Sequence, residues 1–304
     1  MEAASLKKFT DYVNLPNIRG RYSYSVPLSG LTWFQVGGPA GVVYKPEDVS
    51  DLQHFISNCQ NVPYFVLGAG SNILVRDGGY DGVVVKLGRN FSEIVIQNDE
   101  LIVGAASLDR TVAMFAMQHG FSGVEFLVTI PGSIGGAVAM NAGCYDYEIK
   151  DILNWVEIIN TDGSMQRLQP DELCFSYRKS KLPEGSIIVR ASFKVNPGDS
   201  VEIQQKMQNY LQLREESQPT KGRTGGSTFK NPNGHRAWEL IDLAQCRGLT
   251  IGSAQMSEKH CNFMLNVGGA TAADLENLGE LVRKKVQISS GCHLEWEIIR
   301  VGRV

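Results

Sequence analysis

The stretch VLGAGSNILV, residues 66–75, runs from an apolar strand into a cluster of small residues and back into an apolar run. Gly68, Gly70 and Ser71 expose backbone amides that suit a phosphate, and the two glycines invite a dinucleotide-binding fingerprint. The fingerprint fails on two counts. The third glycine is missing, and Ile73 to Val75 are strand-like where a helix is required. The segment therefore reads as β-loop-β, and a Rossmann fold is disfavoured. A phosphate-holding loop and an ordinary tight turn both remain open for it.

Working outward, the chain alternates. Upstream lie a short strand, Val42 to Tyr44, and a helical pattern from Glu47 to Cys59 with Val49, Leu52, Phe55 and Ile56 on one face. Residues 1 to about 30 read as a helical or irregular lead-in. Downstream, Asp77-Gly78-Gly79 marks a turn, Val83 to Leu87 a strand, and Asn98-Asp99 the tip of a hairpin formed by 92–97 and 101–107. A helix from Leu108 to His119 stops at Gly120. Three strands follow: Trp155 to Asn160, Met165 to Leu168 and Ile187 to Val195.

Pro197-Gly198 signals a boundary, and Asp199 with Glu202 makes a capping box for the next helix. After a polar, glycine-rich run from Gln218 to Asn233 come a helix (Ala237 to Gln245), a strand (Asn262 to Val267), a helix opened by Thr271 and Asp274, and a last strand (Leu294 to Val301). The fold class is α+β.

One further stretch, PGSIGGAVAMNAG (131–143), packs four glycines among small residues with no charge. It reads either as a corner packed on the core or as a cradle that lets a ligand meet bare amides.

Composition narrows the function classes. At 43% hydrophobic and 20% charged residues, the 304-residue chain is of ordinary globular type, with about two domains expected. The net charge of -3 comes with scattered Lys and Arg, so nucleic acid is not an expected partner. No apolar run reaches the roughly 18 residues of a membrane span, and the first residues lack a signal-peptide core, so a cytoplasmic protein without membrane association is expected. The six cysteines show no metal-site spacing; they read as reduced, and no metal is expected.

Seven pieces together carry a resemblance: TWFQVGGPA (32–40), VLGAGSNILV (66–75), IPGSIGGAVAMNAG (130–143), FSYRKSKL (175–182), GGSTFKNP (225–232), HCNFMLN (260–266) and LEWEIIRVG (294–302). In this order they resemble the UDP-N-acetylenolpyruvoylglucosamine reductases of the MurB type. The resemblance implies a two-subdomain FAD-binding region of the vanillyl-alcohol-oxidase (PCMH) type, at 1–88 and 89–195, and a substrate-binding α+β domain at 196–304. It implies non-covalent FAD, NADPH as reductant, UDP-N-acetylglucosamine enolpyruvate as substrate, and a monomer.

By the same resemblance, Gly68, Ala69, Gly70, Ser71 and Asn72 hold the FAD diphosphate. Pro131, Gly132, Ser133, Gly135, Gly136 and Ala137, with Asn141 and Gly143, line the flavin, and Thr32, Val36 and Gly37 close the outer wall. Arg178 matches the family's active-site arginine, Glu297 its catalytic carboxylate and Ser227 its proton-donating serine. Lys230, Asn231 and Asn262 fall on the substrate side, with Lys221 and Arg223 as looser basic candidates.

Those residue types suit the implied chemistry. Hydride addition to an enolpyruvyl ether pushes charge onto the substrate carboxylate, so a cation must meet it and a donor must protonate the neighbouring carbon. Read without the resemblance, Arg178 is a surface arginine, Glu297 the outward residue of an alternating strand and Ser227 a turn hydroxyl. One family subgroup inserts a tyrosine-bearing loop between the arginine and serine motifs. Here Lys179 to Gly226 has room for a strand, a helix and a short polar run, which points to the subgroup without it. The rival readings are a flavin-dependent alcohol or sugar oxidase of the same fold and a non-catalytic nucleotide-binding module.

Overall fold

Strand and helix positions follow the apolar periodicity closely. In the computed structural model, which describes residues 14–59 and 62–304, the chain divides into two units. Unit 1 takes the described residues up to Tyr24, then Val42–Ala69 and Gly82–Leu213; unit 2 takes Ser25–Gly41, Gly70–Asp81 and Arg214–Val304.

Two sheets make up most of unit 1, apart from strand ends at residues 25–27, 39–41 and 80–81 that belong to unit 2. The first has the strand order Arg21–Pro27, Pro39–Lys45, Tyr80–Val85, Tyr64–Val66, the last two running parallel. Its core holds Tyr44, Leu52, Phe55 and Val83, with the helix Val49–Asn58 contributing the apolar face seen in the sequence. Asp48 caps that helix by accepting from the Asp51 N–H.

The second sheet is antiparallel, in the order Met165–Leu168, Leu153–Ile159, Ile187–Lys194, Glu100–Gly104, Ile94–Gln97. Leu153–Ile159 buries six of its seven residues, Glu157 among them. The hairpin tip Asn98-Asp99 adopts positive φ at both residues, as a tight primed turn demands. The helix Asp109–Gln118 and the short turn Glu125–Thr129 pack into the same core, where Leu101, Val112, Phe126 and Phe193 are enclosed. Each such side chain adds about 1.5–3 kcal/mol of hydrophobic stabilisation.

Unit 2 folds around the helix Ala272–Ser290, which buries Leu275, Leu278, Val282 and Val286. Thr271 and Asp274 form the expected capping box. Asp77 adds a second cap, its carboxylate accepting from the N–H groups of Ala272 and Ala273, each at 2.9 Å. Phe34, Leu74, Phe229 and Met264 complete this core. Ile73–Val75 pairs in parallel with Ile299–Val301.

Three expectations change. Part of the lead-in falls on residues 1–13, outside the described residues; within 14–30, Arg21–Pro27 is a strand, because the Tyr22 ring packs 5.4 Å from Tyr44 and 6.3 Å from Phe55. The glycine stretch is neither a pure loop nor a strand corner, since Ile134–Ala139 winds into a short helix with the Ala137 N–H donating to the Ser133 carbonyl at 2.8 Å. The last strand is shorter than Leu294 to Val301, because residues 294–298 leave the parallel pairing and turn their backbone to Thr228 and Lys230 instead.

Candidate active site

In unit 1 the glycine stretch folds back on residues 105–109. Leu108 and Ser133 form an antiparallel bridge, the Ile134 N–H donates to the Ser107 carbonyl at 2.9 Å, and the Gly135 N–H donates to the Ala105 carbonyl at 2.9 Å. Beside this fold-back lies a cavity of about 180 Å³ lined by Leu67, Gly68, Lys86, Leu108, Ser133 and Gly136, among others. That is smaller than the roughly 300–1,000 Å³ of a whole-ligand pocket, a size suited to one part of a larger molecule.

The cavity fits part of an FAD. A Cβ placed on Gly68 would stand 2.7 Å from the Ser133 hydroxyl, so the open space there exists only because residue 68 is glycine. Apolar walls suit an aromatic ring. One cation is present: Lys86 donates from Nζ to the Gly68 carbonyl, and burial together with the nearby Lys45 lowers its pKa. An anionic group beside Lys86 would favour its charged form.

At the far end of the stretch, Ser176 and Lys179 close a tight turn by two backbone hydrogen bonds of 2.9 and 3.1 Å, with Arg178 at φ +56°. A left-handed arginine is uncommon and marks a backbone held in place by its surroundings. Arg178 Nη1 lies 3.8 Å from Glu148, and its side chain is only 21% exposed.

Asn141 organises this region from below. It is fully buried at φ +44°; its Nδ2 donates to the Ser176 carbonyl at 3.0 Å and to Glu148 at 3.1 Å, and its Oδ1 accepts from the Lys150 N–H at 3.1 Å. The side chain expected against the flavin is thus turned to the arginine turn.

In unit 2 the segment Thr32 to Gly37 is closed by its own bonds. The buried Thr32 hydroxyl donates to the Val36 carbonyl at 3.1 Å, and the Trp33 N–H donates to the Gly70 carbonyl at 2.9 Å. Gly68 and Ala69 belong to unit 1, whereas Gly70, Ser71 and Asn72 belong to unit 2. Asn72 holds the segment that carries Glu297: its Nδ2 donates to the Glu297 carbonyl at 3.2 Å, and its own carbonyl accepts from the Ile299 N–H at 3.1 Å.

Ser227 and Glu297 are brought together by one central segment. Ser227 bridges Phe263 on one side; on the other, the Glu297 N–H donates to the Thr228 carbonyl at 2.9 Å, and the Lys230 N–H to the Glu295 carbonyl at 2.9 Å. Both Ser227 and Glu297 are half-buried.

Asn262 locks that segment. Its Oδ1 accepts from the Phe229 N–H at 3.0 Å and its Nδ2 donates to the Phe229 carbonyl at 2.8 Å, with 4% of the residue exposed. The side chain expected to meet substrate acts instead as a stand-in for a neighbouring strand. Asn231 similarly spends its Oδ1 on the Ala237 N–H at 2.9 Å, at the start of the helix Ala237–Leu243. Lys230 keeps a 3.7 Å ion pair with Glu295, and Lys221, 91% exposed, one of 3.7 Å with Glu215. Arg223 pairs through its backbone with Asn266.

Lys86 beside the cavity and Glu148 beside Arg178 carry no sequence signal. Lys86 stands in an ordinary strand-end context, and Glu148 has no motif to flag it.

Comparison with known proteins adds independent support. A family model described as FAD binding domain matches residues 39–169, and one described as UDP-N-acetylenolpyruvoylglucosamine reductase, C-terminal domain, matches 218–301. The UDP-N-acetylenolpyruvoylglucosamine reductase of Acidiphilium cryptum is 52% identical over 289 residues, covering 95% of this chain and 94% of the relative. That of Rickettsia conorii is 52% identical over 290 residues, covering 95% and 98%. The crystal structure of the reductase from Thermus caldophilus superposes with a TM-score of 0.82 at 35% identity, covering 94% of this chain and 100% of the other. The chain carries an FAD-binding domain, and it belongs to the UDP-N-acetylenolpyruvoylglucosamine reductase family.

Proposed function

We propose that this protein reduces the enolpyruvyl ether of UDP-N-acetylglucosamine enolpyruvate to the lactyl ether of UDP-N-acetylmuramate, a peptidoglycan precursor, with NADPH as the electron source. Bound FAD supplies the hydride carrier. The observation that carries the reading is the pairing of the Ser227 and Glu297 segments through Thr228, inside the region that matches the family's C-terminal domain.

The residue roles follow from charge. As the terminal vinyl carbon gains hydride, electron density moves toward the substrate carboxylate, and the forked guanidinium of Arg178 suits that developing charge. Glu297 works with it in stabilising the enolate-like form; to do so as an acid it must be kept neutral by burial, since an ionised carboxylate would repel the developing charge. The Ser227 hydroxyl gives its proton to the adjacent carbon, a step that requires the hydroxyl to sit against a developing carbanion, because a serine is otherwise too weak an acid. Lys230 takes the diphosphate or sugar end. Asn231 and Asn262 serve this site by holding the segments that carry Lys230 and Ser227.

Gly68 to Asn72 and Pro131 to Gly143 form the FAD-holding elements, with Asn141 acting through the arginine turn. Between Lys179 and Gly226 stand the strand Ile187–Lys194 and the helix Ser200–Ser217, in keeping with the subgroup that lacks the tyrosine loop. The division of labour proposed is cofactor binding by 1–88 and 89–195 and substrate binding by 196–304. The protein works as a cytoplasmic monomer; its six cysteines as free thiols fit a reducing compartment.

The test is spectroscopic. Purified protein loaded with FAD should lose its visible flavin absorbance on anaerobic addition of NADPH and regain it on addition of the enolpyruvyl substrate. A flavin band that NADPH leaves unchanged, or a reduced form that the substrate fails to reoxidise, overturns the reading.

A further inference from the structure

Asp109 opens the helix Asp109–Gln118 with its side chain fully enclosed, and neither carboxyl oxygen has a hydrogen-bond partner. Buried polar groups without partners are rare, and a buried unpaired charge is costlier still. Ser107, two residues earlier, has its hydroxyl in the same condition. Leu108 lines the cavity, whereas neither Ser107 nor Asp109 does.

This acid stands directly behind the glycine stretch. The Asp109 N–H donates to the Gly132 carbonyl at 3.2 Å, and a Cβ placed on Gly132 would lie 2.5 Å from Asp109 Oδ2. The charged groups nearby are otherwise engaged or turned outward. Arg110 on the same helix is exposed, and His119 stacks on Phe115 with Nδ1 2.8 Å from the Phe115 carbonyl. On the packed turn Glu125–Thr129, Glu125 meets Lys206 at 3.3 Å and accepts from the Gly123 N–H at 2.9 Å; the Cys144 thiol lies against Thr129. Burial raises the Asp109 pKa well above the usual carboxylate range, with no opposing charge.

We propose that Asp109 is carried as a neutral carboxylic acid and is a positioning residue for the turn Gly132–Gly136, so that cofactor retention by this turn is linked to one proton. The link rests on reading the cavity as part of the FAD site. An ionised carboxylate here needs water or a donor, and the backbone its Oδ2 lies against is that of Gly132, so a shift of the charged group acts on the turn. The sign follows from the pKa. The folded protein keeps a proton that the unfolded chain releases, so this contribution to stability is fullest below the ordinary carboxylate pKa and declines as pH rises toward the folded value.

Asp109→Asn has the same size and no charge at any pH. Relative to it, the wild type should lose up to about tenfold in its folding constant per pH unit across that range, and it should release flavin at lower alkaline pH. Infrared spectra of wild-type protein should show a carboxylic-acid carbonyl band at pH 7, with or without flavin, which Asp109→Asn lacks. An ionised Asp109 at pH 7, or parallel pH profiles for the two proteins, overturns the proposal. The infrared band needs no flavin, so a chain that shows the band yet binds no FAD at any pH sinks the cofactor reading and the link with it. A band together with pH-independent flavin retention sinks the link alone.

Discussion

Arg178 donates from Nη2 to the carbonyl of Gly143 at 3.1 Å, joining the arginine turn to the end of the glycine stretch. The guanidinium is therefore held by the same stretch of backbone whose Ser133, Gly135 and Gly136 line the cavity. Lysine cannot reproduce both a fork toward a carboxylate and a bond back to Gly143. Arg178→Lys should lower kcat by about 10²–10³-fold while leaving FAD content unchanged. Steady-state kinetics beside the flavin-to-protein absorbance ratio would check this; an equal loss of flavin would mean that the arginine acts on the fold.

A methyl group at Gly68 meets the Ser133 hydroxyl, whereas one at Gly30 meets nothing within 4 Å. Gly68→Ala should weaken FAD binding by about tenfold or more, corresponding to roughly 1–3 kcal/mol of overpacking. Gly30→Ala should bind as the wild type does. Flavin fluorescence on titration into the apoprotein separates the two.

Removing the Ser227 hydroxyl should cost the oxidative half-reaction far more than the reductive one. Ser227→Ala is expected to bleach with NADPH at close to the wild-type rate and to reoxidise with substrate about 10²–10⁴-fold more slowly. Stopped-flow absorbance gives both rates. A matching slowdown of bleaching would remove Ser227 from the proton-transfer role.

Asp51 accepts from the Tyr44 hydroxyl at 2.8 Å and from the N–H groups of Arg19, Gly20 and Glu47 at 2.7, 3.0 and 3.0 Å. Burial pushes its pKa up, but these bonds outweigh it and hold the carboxyl below its usual value. A lowered folded pKa contributes stability above the unfolded pKa and loses it as pH falls through the folded one. Asp51→Asn should cost about 1–3 kcal/mol at neutral pH, since donors are left poorly matched in a buried site. The gap to wild type should narrow in acid, as urea titrations at several pH values would reveal.

The periodic parts of the fold were legible in the sequence because they rest on local rules. The hairpin at Asn98-Asp99, the stop at Gly120 and the capping box at Thr271 each need only a few adjacent residues. Arg21–Pro27 was not legible, since its strand state depends on Tyr22 meeting Tyr44 and Phe55. The candidate site divides in the same way. Glycine motifs announce themselves, whereas the employment of Asn141, Asn231 and Asn262 does not: an asparagine reads identically whether its amide faces a ligand or replaces a missing backbone neighbour. Lys86 and Asp109 acquire meaning only from enclosure, which no local pattern encodes.

The parallel pairing of Ile73–Val75 with Ile299–Val301 has a consequence for biosynthesis. Asn72 and the Glu297 carbonyl it grips are 225 positions apart, so the early strand leaves the ribosome long before its partner exists. At roughly 5–20 residues per second, that wait lasts on the order of ten seconds or more, during which Ile73–Val75 lacks its strand partner. Nascent chains paused before residue 299 should therefore be protease-sensitive around Ile73 and bind chaperones that recognise exposed strands. Release of the finished chain would end that sensitivity.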